Sequence, residues 1–140
     1  MNDYLLDTCV ISEPKQKTPN KDVLDWMKNQ KETTLFLSVI TIGEIEKGIA
    51  GLQKSRKRTG LEKWSSELQT RFSNRILPLT TDVLINWGRM LGELGKKGIV
   101  RPSIDSLLEA TALTFNLTFV TRNVKNFSKT QIKIFNPWSI

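Results

Sequence analysis

Short apolar runs separated by stretches of helical periodicity recur along the chain, and this alternation restricts its fold more than any other feature. Tyr4-Leu5-Leu6, Leu35-Phe36-Leu37-Ser38, Ile76-Leu77-Pro78-Leu79, Leu117 to Thr121 and Ile132 to Phe135 read as strands. Tyr4 to Leu6 shows no polar alternation, the pattern of a strand buried on both faces. Pro78 lacks an amide hydrogen, so the third run belongs at a sheet edge. A helix opens near Asn20-Lys21-Asp22 and carries Leu24, Trp26 and Met27. Another follows Ser38, carries Ile42, Ile45 and Ile49, and ends near Gly51. A polar helix is predicted from about Gly60 to Asn74, with Leu61, Trp64 and Leu68 along one stripe. Val83, Trp87, Met90 and Leu94 mark a fourth, stopped by Gly95 and Gly98. Ser103 to Asn116 makes a fifth, with Ser103 as N-cap after Pro102. Strands spaced by helices predict an α/β fold with a parallel sheet.

At 140 residues the chain suits one domain, residues 1–140, without repeats or linkers. The single cysteine, Cys9, excludes an internal disulfide and fits a reducing compartment. No apolar run approaches the ~18 residues of a membrane span, and no basic-then-apolar leader opens the chain. A soluble, cytoplasmic protein is expected.

The chain contains no histidine. That removes histidine acid–base catalysis, Ser-His and Cys-His nucleophiles, and histidine-ligated zinc. One cysteine also removes sulfur-ligated zinc. Hydrolysis would have to use carboxylates, lysines or a hard metal held by oxygen. The net charge of +7 fits a polyanionic partner and equally fits ordinary solubility. Its densest cluster, Lys54-Ser55-Arg56-Lys57-Arg58, reads as a solvated loop or helix end.

Three acidic residues sit where elements begin or end. Asp7 closes the first strand, Glu44 lies in the early turns of the second helix, and Asp105 lies in the first turn of the fifth. Asn123 follows the fourth strand. In open parallel sheets, ligands gather beyond the carboxyl ends of the strands. Glu44 and Glu46 stand about 200° apart on their helix, so only one can face a shared site. Gly43 and Gly48 flank Glu44 and would admit a close backbone. Taken singly, each acid has a local explanation as a turn former, a cap, a dipole partner or a solvated helix residue. Taken together, they form a nest of oxygen ligands that repel one another until a divalent cation arrives. In a basic protein this suggests a metal-dependent nuclease.

At these residues the sequence resembles the PIN-domain ribonucleases, and among them the VapC-type toxins of toxin–antitoxin pairs. The matching segments are Tyr4-Leu5-Leu6-Asp7-Thr8 with Val10-Ile11-Ser12-Glu13-Pro14, and Leu37-Ser38-Val39-Ile40-Thr41-Ile42-Gly43-Glu44. Asp105-Ser106-Leu107-Leu108 with Ala110-Thr111-Ala112 follows, then Val120-Thr121-Arg122-Asn123-Val124-Lys125-Asn126-Phe127, and last Phe135-Asn136-Pro137-Trp138. Each motif is weak alone; their order and spacing across the chain are specific. The resemblance implies a five-stranded parallel sheet of order 3-2-1-4-5 between helices. It implies Mg²⁺ or Mn²⁺ at Asp7, Glu44 and Asp105, with Asn123 completing the ring. It further implies an RNA substrate, a homodimer within a larger toxin–antitoxin assembly, and a cognate antitoxin that covers the active site.

The expected reaction is phosphodiester hydrolysis by metal-activated water. Thr8 and Thr121 either orient a carboxylate or a water, or simply cap strand ends; Arg122 is a candidate for substrate phosphate. Trp26 and Trp64 read as core or as an antitoxin groove, and the Val83–Leu94 stripe as core or dimer face. Asp105 is expected to carry the raised carboxyl pKa. Three positions depart from the family pattern. Cys9 replaces a common Asn, which puts hydrogen-bond support of Asp7 in question. Glu109 replaces a small residue and is expected to face water. Neutral Asn123 leaves three formal negative charges, favouring one firmly bound ion. The rival readings are an inactive PIN-like binding module and a phosphohydrolase with Asp7 as nucleophile.

Overall fold

The computed structural model describes residues 2–139. Its strands are β1 (Tyr4–Leu6), β2 (Leu35–Ser38), β3 (Ile76–Leu77), β4 (Thr118–Val120) and β5 (Ile134–Phe135). They form one sheet of order β3-β2-β1-β4-β5, with every neighbouring pair parallel. The helices are α1 (Thr8–Ile11), α2 (Lys21–Asn29), α3 (Val39–Ala50), α4 (Arg56–Arg71), α5 (Thr81–Lys96) and α6 (Ser103–Phe115).

Strand geometry sends successive side chains to opposite faces, and β1 uses both. Leu6 joins Val10, Val23, Leu35, Leu37, Ile45 and Phe72 on one face. Leu5 joins Leu108, Ala112, Phe119 and Phe127 on the other. Both leucines are fully buried, so helices cover the sheet on each side and the three-layer expectation holds. Leu5 pairs with Phe36 and Phe119, and β1 therefore sits in the middle of the sheet.

The short strands place chemistry-bearing residues at their ends. β3 stops at Leu77 because Pro78 cannot continue the ladder, and it lies at the edge as expected. Arg75 anchors that edge, donating to the carbonyl of Leu35 at 2.7 Å.

Several helix boundaries differ from the periodicity reading. α4 begins at Arg56 rather than near Gly60, because the Ser55 hydroxyl accepts from the Arg58 amide at 3.1 Å. Arg56, Lys57 and Arg58 thus occupy a first helical turn, and α4 ends at Arg71, where Phe72 turns into the core. Pro102, not Ser103, is the N-cap of α6, with no side-chain bond; Ser103 is the first helical residue. Asn116 ends α6 in the left-handed conformation (φ 55°), the usual stop for a helix.

α5 packs along α6, and the Trp87 indole donates to Ser106 Oγ at 2.9 Å. Val83 and Leu94 are buried, while Leu84 and Ile85 remain 44% and 43% exposed on the outer face. Trp26 and Trp64 both pack against the core. Trp26 meets Tyr4 edge-on and lies tilted beside Phe135. No helix among the described residues is long and apolar enough to cross a membrane.

Glu109 corrects an expectation. It is buried rather than water-facing, because Arg101 in the loop before α6 pairs with it.

Candidate active site

Asp7 leaves the end of β1, and its amide donates to the Val120 carbonyl at 2.9 Å, fixing it beside the end of β4. Its carboxylate is buried yet well supplied with donors. Oδ1 accepts from the Thr8 amide at 2.8 Å, and Oδ2 accepts from the Thr121 hydroxyl at 2.8 Å. The Cys9 thiol adds a weak donor 3.7 Å from Oδ2. Support for Asp7 thus comes chiefly from the two threonines, with the Cys9 thiol a weak third donor.

Glu44 is half-buried on α3, and its Oε1 accepts from the Thr8 hydroxyl at 2.5 Å. Thr8 therefore links two carboxylates, one through its amide and one through its side chain. Glu46 points elsewhere, accepting from Ser65 at 3.2 Å and Gln69 at 3.5 Å. The opposition of the two glutamates is as the helical angle predicts. The glycines beside Glu44 do not serve a close approach: a Cβ at Gly43 or Gly48 would meet nothing within 4 Å.

Asp105 is half-buried in the first turn of α6, and its Oδ2 accepts from Asn126 Nδ2 at 3.0 Å. Sequence reasoning missed Asn126. The signal was the spacing Asn123-Val124-Lys125-Asn126, which puts two amides one 3₁₀ turn apart after β4. Asn123 itself is exposed; its amide donates to Thr121 Oγ1 at 3.0 Å, and its carboxamide bonds none of the three acids. The guanidinium of Arg122 lies 5.2 Å from the ring centre of Trp138.

Electrostatics shows that the three acids share one neighbourhood. Burial pushes the Asp7 carboxyl above its ordinary value of 3.8. The bonds from Thr121 and Thr8 oppose that rise, while the charges of Asp105 and then Glu44 add to it. At Asp7 the rise is therefore set by depth: desolvation of a carboxyl only 6% exposed outweighs the neighbouring charges. Burial, followed by the charge of Asp7, pushes the Cys9 thiol up to about 11, so it stays neutral near pH 7.

Among the described residues no three His, Cys, Asp or Glu side chains are gathered tightly enough to clasp one metal ion as they stand. Glu44 is turned onto Thr8, and Asp105 onto Asn126. The donor chemistry nevertheless fits a hard divalent cation: three carboxylates within electrostatic reach, no sulfur ligand in thiolate form and no imidazole. Among the described residues, Oε2 of Glu44 and Oδ1 of Asp105 accept no hydrogen bond.

A five-stranded parallel sheet of this order between helices is the fold of a known family. The family model described as "PIN domain" matches residues 4–133, and the chain belongs to that family. It is 33% identical to "Toxin FitB" of Neisseria gonorrhoeae over 135 residues, spanning 96% of this chain and 97% of that protein. It is 30% identical to "VapC ribonuclease Y4jK" of Sinorhizobium fredii, spanning 96% of each. The crystal structure of FitAcB from Neisseria gonorrhoeae superposes with a TM-score of 0.92 at 32% identity, covering 98% of this chain and 99% of that one.

Proposed function

We propose that this chain is a one-domain, divalent-metal-dependent endoribonuclease and the toxin of a type II toxin–antitoxin pair. The observation that carries this reading is the meeting of Asp7 and Glu44 at Thr8, with the charge of Asp105 also felt at Asp7, in a fold shared with ribonuclease relatives. Asp7, Glu44 and Asp105 would hold Mg²⁺ or Mn²⁺. Such an ion, when bound, lowers the pKa of a water and offsets charge on a scissile phosphate.

The remaining work falls to the chain's own side chains. Thr8 and Thr121 keep Asp7 oriented and favour its ionised form; Thr8 also steers Glu44, and Asn126 holds Asp105. Asn123, at the rim, leaves the site with three formal negative charges and completes the ring without adding a fourth. Arg122 offers an exposed guanidinium to substrate phosphate. RNA is the substrate, matching the net charge of +7. A cognate antitoxin that covers the site, and homodimerisation, follow the pattern of the family.

Purified protein should cut RNA with Mg²⁺ or Mn²⁺, lose that activity to chelator, and lose it in Asp7→Asn. Expression of the wild type alone should arrest growth, and Asp7→Asn or Asp105→Asn should not. Folded wild type that turns over no RNA with either metal would instead favour a binding module with a spent site.

A further inference from the structure

A polar cavity of about 440 Å³ is lined by Cys9, Glu13, Lys17, Asn20, Arg122 and Trp138, among others. The proposed hydrolysis makes no use of it beyond Arg122. Its position ties it to the carboxylates. Cys9 lies 3.7 Å from Asp7 Oδ2, and Arg122 directly follows Thr121, which bonds that same oxygen. A strand whose phosphate rests at the acids has its neighbouring nucleotide beside this opening.

The lining suits an anion carrying a flat ring. Lys17 and Arg122 are exposed cations. The one carboxylate, Glu13, is only 8% exposed, and its Oε2 accepts from the Asn20 amide at 2.7 Å. Its charge is therefore directed at backbone rather than at the opening. The Arg122 guanidinium lies over the Trp138 ring, 5.2 Å from its centroid, a cation–π contact that leaves its N–H groups available for two-point bonding to phosphate. The Trp138 amide donates to Asn136 Oδ1 at 2.9 Å, pinning the turn that carries the indole. Cations interleaved with an aromatic surface are how single-stranded nucleic acid is gripped, and bases stack on guanidinium planes as they do on rings. The volume lies within the ~300–1,000 Å³ range of small-molecule sites. That suits one nucleotide.

We infer that this cavity is a subsite for one nucleotide of single-stranded RNA adjoining the cleavage position, with Lys17 and Arg122 on its phosphate and its base against the Arg122–Trp138 pair. The inference rests on the RNA-cleaving reading and adds the place where substrate is held and the residues that set its register. The apolar cavity lined by Ile40, Gly43, Leu52 and Ile104, on the Glu44 side, has none of these features and offers no phosphate partner besides Lys47.

The test measures binding apart from cleavage. In full-length protein carrying Asp7→Asn, the affinity for a fluorescein-labelled, mixed-sequence single-stranded RNA is read by anisotropy across a salt series. Adding Lys17→Ala with Arg122→Ala should weaken binding about tenfold and lower the slope of log Kd against log salt by about 0.7, the loss of one phosphate contact. Removing the same number of charges elsewhere, with Lys63→Ala and Lys96→Ala, should change neither to that extent. In the otherwise wild-type enzyme, the Lys17/Arg122 pair of substitutions should raise KM, leave kcat within about twofold, and shift the cleavage positions. RNA affinity and salt slope equal to those of the Lys63/Lys96 control would overturn the subsite. Wild type that binds RNA through Lys17 and Arg122 yet cleaves none with Mg²⁺ or Mn²⁺ would sink the nuclease reading and leave the subsite standing.

Discussion

Arg101 and Glu109 form a two-point ion pair inside the protein, with Nε–Oε1 at 2.8 Å and Nη2–Oε2 at 3.1 Å, and side chains only 1% and 2% exposed. Every further group around them is matched. Thr130 donates to Glu109 Oε2 at 2.6 Å, and Arg101 donates to the carbonyls of Asn126 at 3.2 Å and Ser128 at 2.9 Å. The pair thus ties α6 to the segment after β4, from which Asn126 reaches Asp105. Burying two charges is tolerable only with this degree of satisfaction.

Removing either partner should therefore be severe. Glu109→Ala or Arg101→Ala strands a buried charge and should destabilise the fold by about 3–5 kcal/mol. The double replacement Arg101→Met with Glu109→Leu should recover most of that loss. Urea denaturation of the three variants checks this; a single variant within about 0.5 kcal/mol of wild type would show that the pair is not structural.

Asn126→Ala isolates the local effect from the global one. Asn126 is exposed, so its side chain adds little to stability, but it is the hydrogen-bond donor to Asp105 among the described residues. Loss of such an outer partner should reduce metal affinity or activity roughly 10–100-fold with an unchanged melting temperature. Thr8→Val should act in the same way through Glu44, while keeping the amide bond to Asp7.

The raised carboxyl of Asp7 has a sign that can be checked in metal-free protein. A folded pKa above the unfolded value adds stability that is fully present below the unfolded value and is lost as pH rises through the folded one. Metal-free wild type should accordingly lose stability as pH climbs from below 3.8 through the raised pKa of Asp7. Asp7→Asn should lack that loss, making it the more stable of the two at neutral pH. Melting temperatures of both proteins across this range decide the matter. Thr121→Val should push the Asp7 carboxyl higher still, since it removes the largest opposing hydrogen bond, and should move the acid limb of the RNA-cleavage profile to higher pH.

The sheet was legible in the sequence because buried parallel strands are continuous apolar runs: Tyr4 to Leu6 matched β1 and Leu35 to Ser38 matched β2. Their order came only through the family resemblance, since local pattern carries no information about neighbours. Asp7 and Asp105 stood out because each lies at an element end, where a parallel sheet collects its ligands, whereas Glu44 lies mid-way along α3 and stood out through the family motif. What escaped notice depends on partners distant in the chain. Arg101 lies outside the helix of Glu109, so helical periodicity could assign that glutamate only to solvent. Burial depth was equally hidden, and with it the rise of the Asp7 carboxyl that burial drives. The start of α4 was missed because Gly60 hides a helix that Ser55 caps a turn earlier.

The most direct measurement is Mn²⁺ binding, followed by the electron paramagnetic resonance signal of free ion, in wild type and in Asp7→Asn, Glu44→Gln and Asp105→Asn. The account predicts an ion bound by the wild-type chain and affinity weakened about tenfold or more by each substitution. Wild-type affinity in any one of the three folded variants would show that the acid concerned stands outside the site, and would contradict the claim that all three serve a single cation.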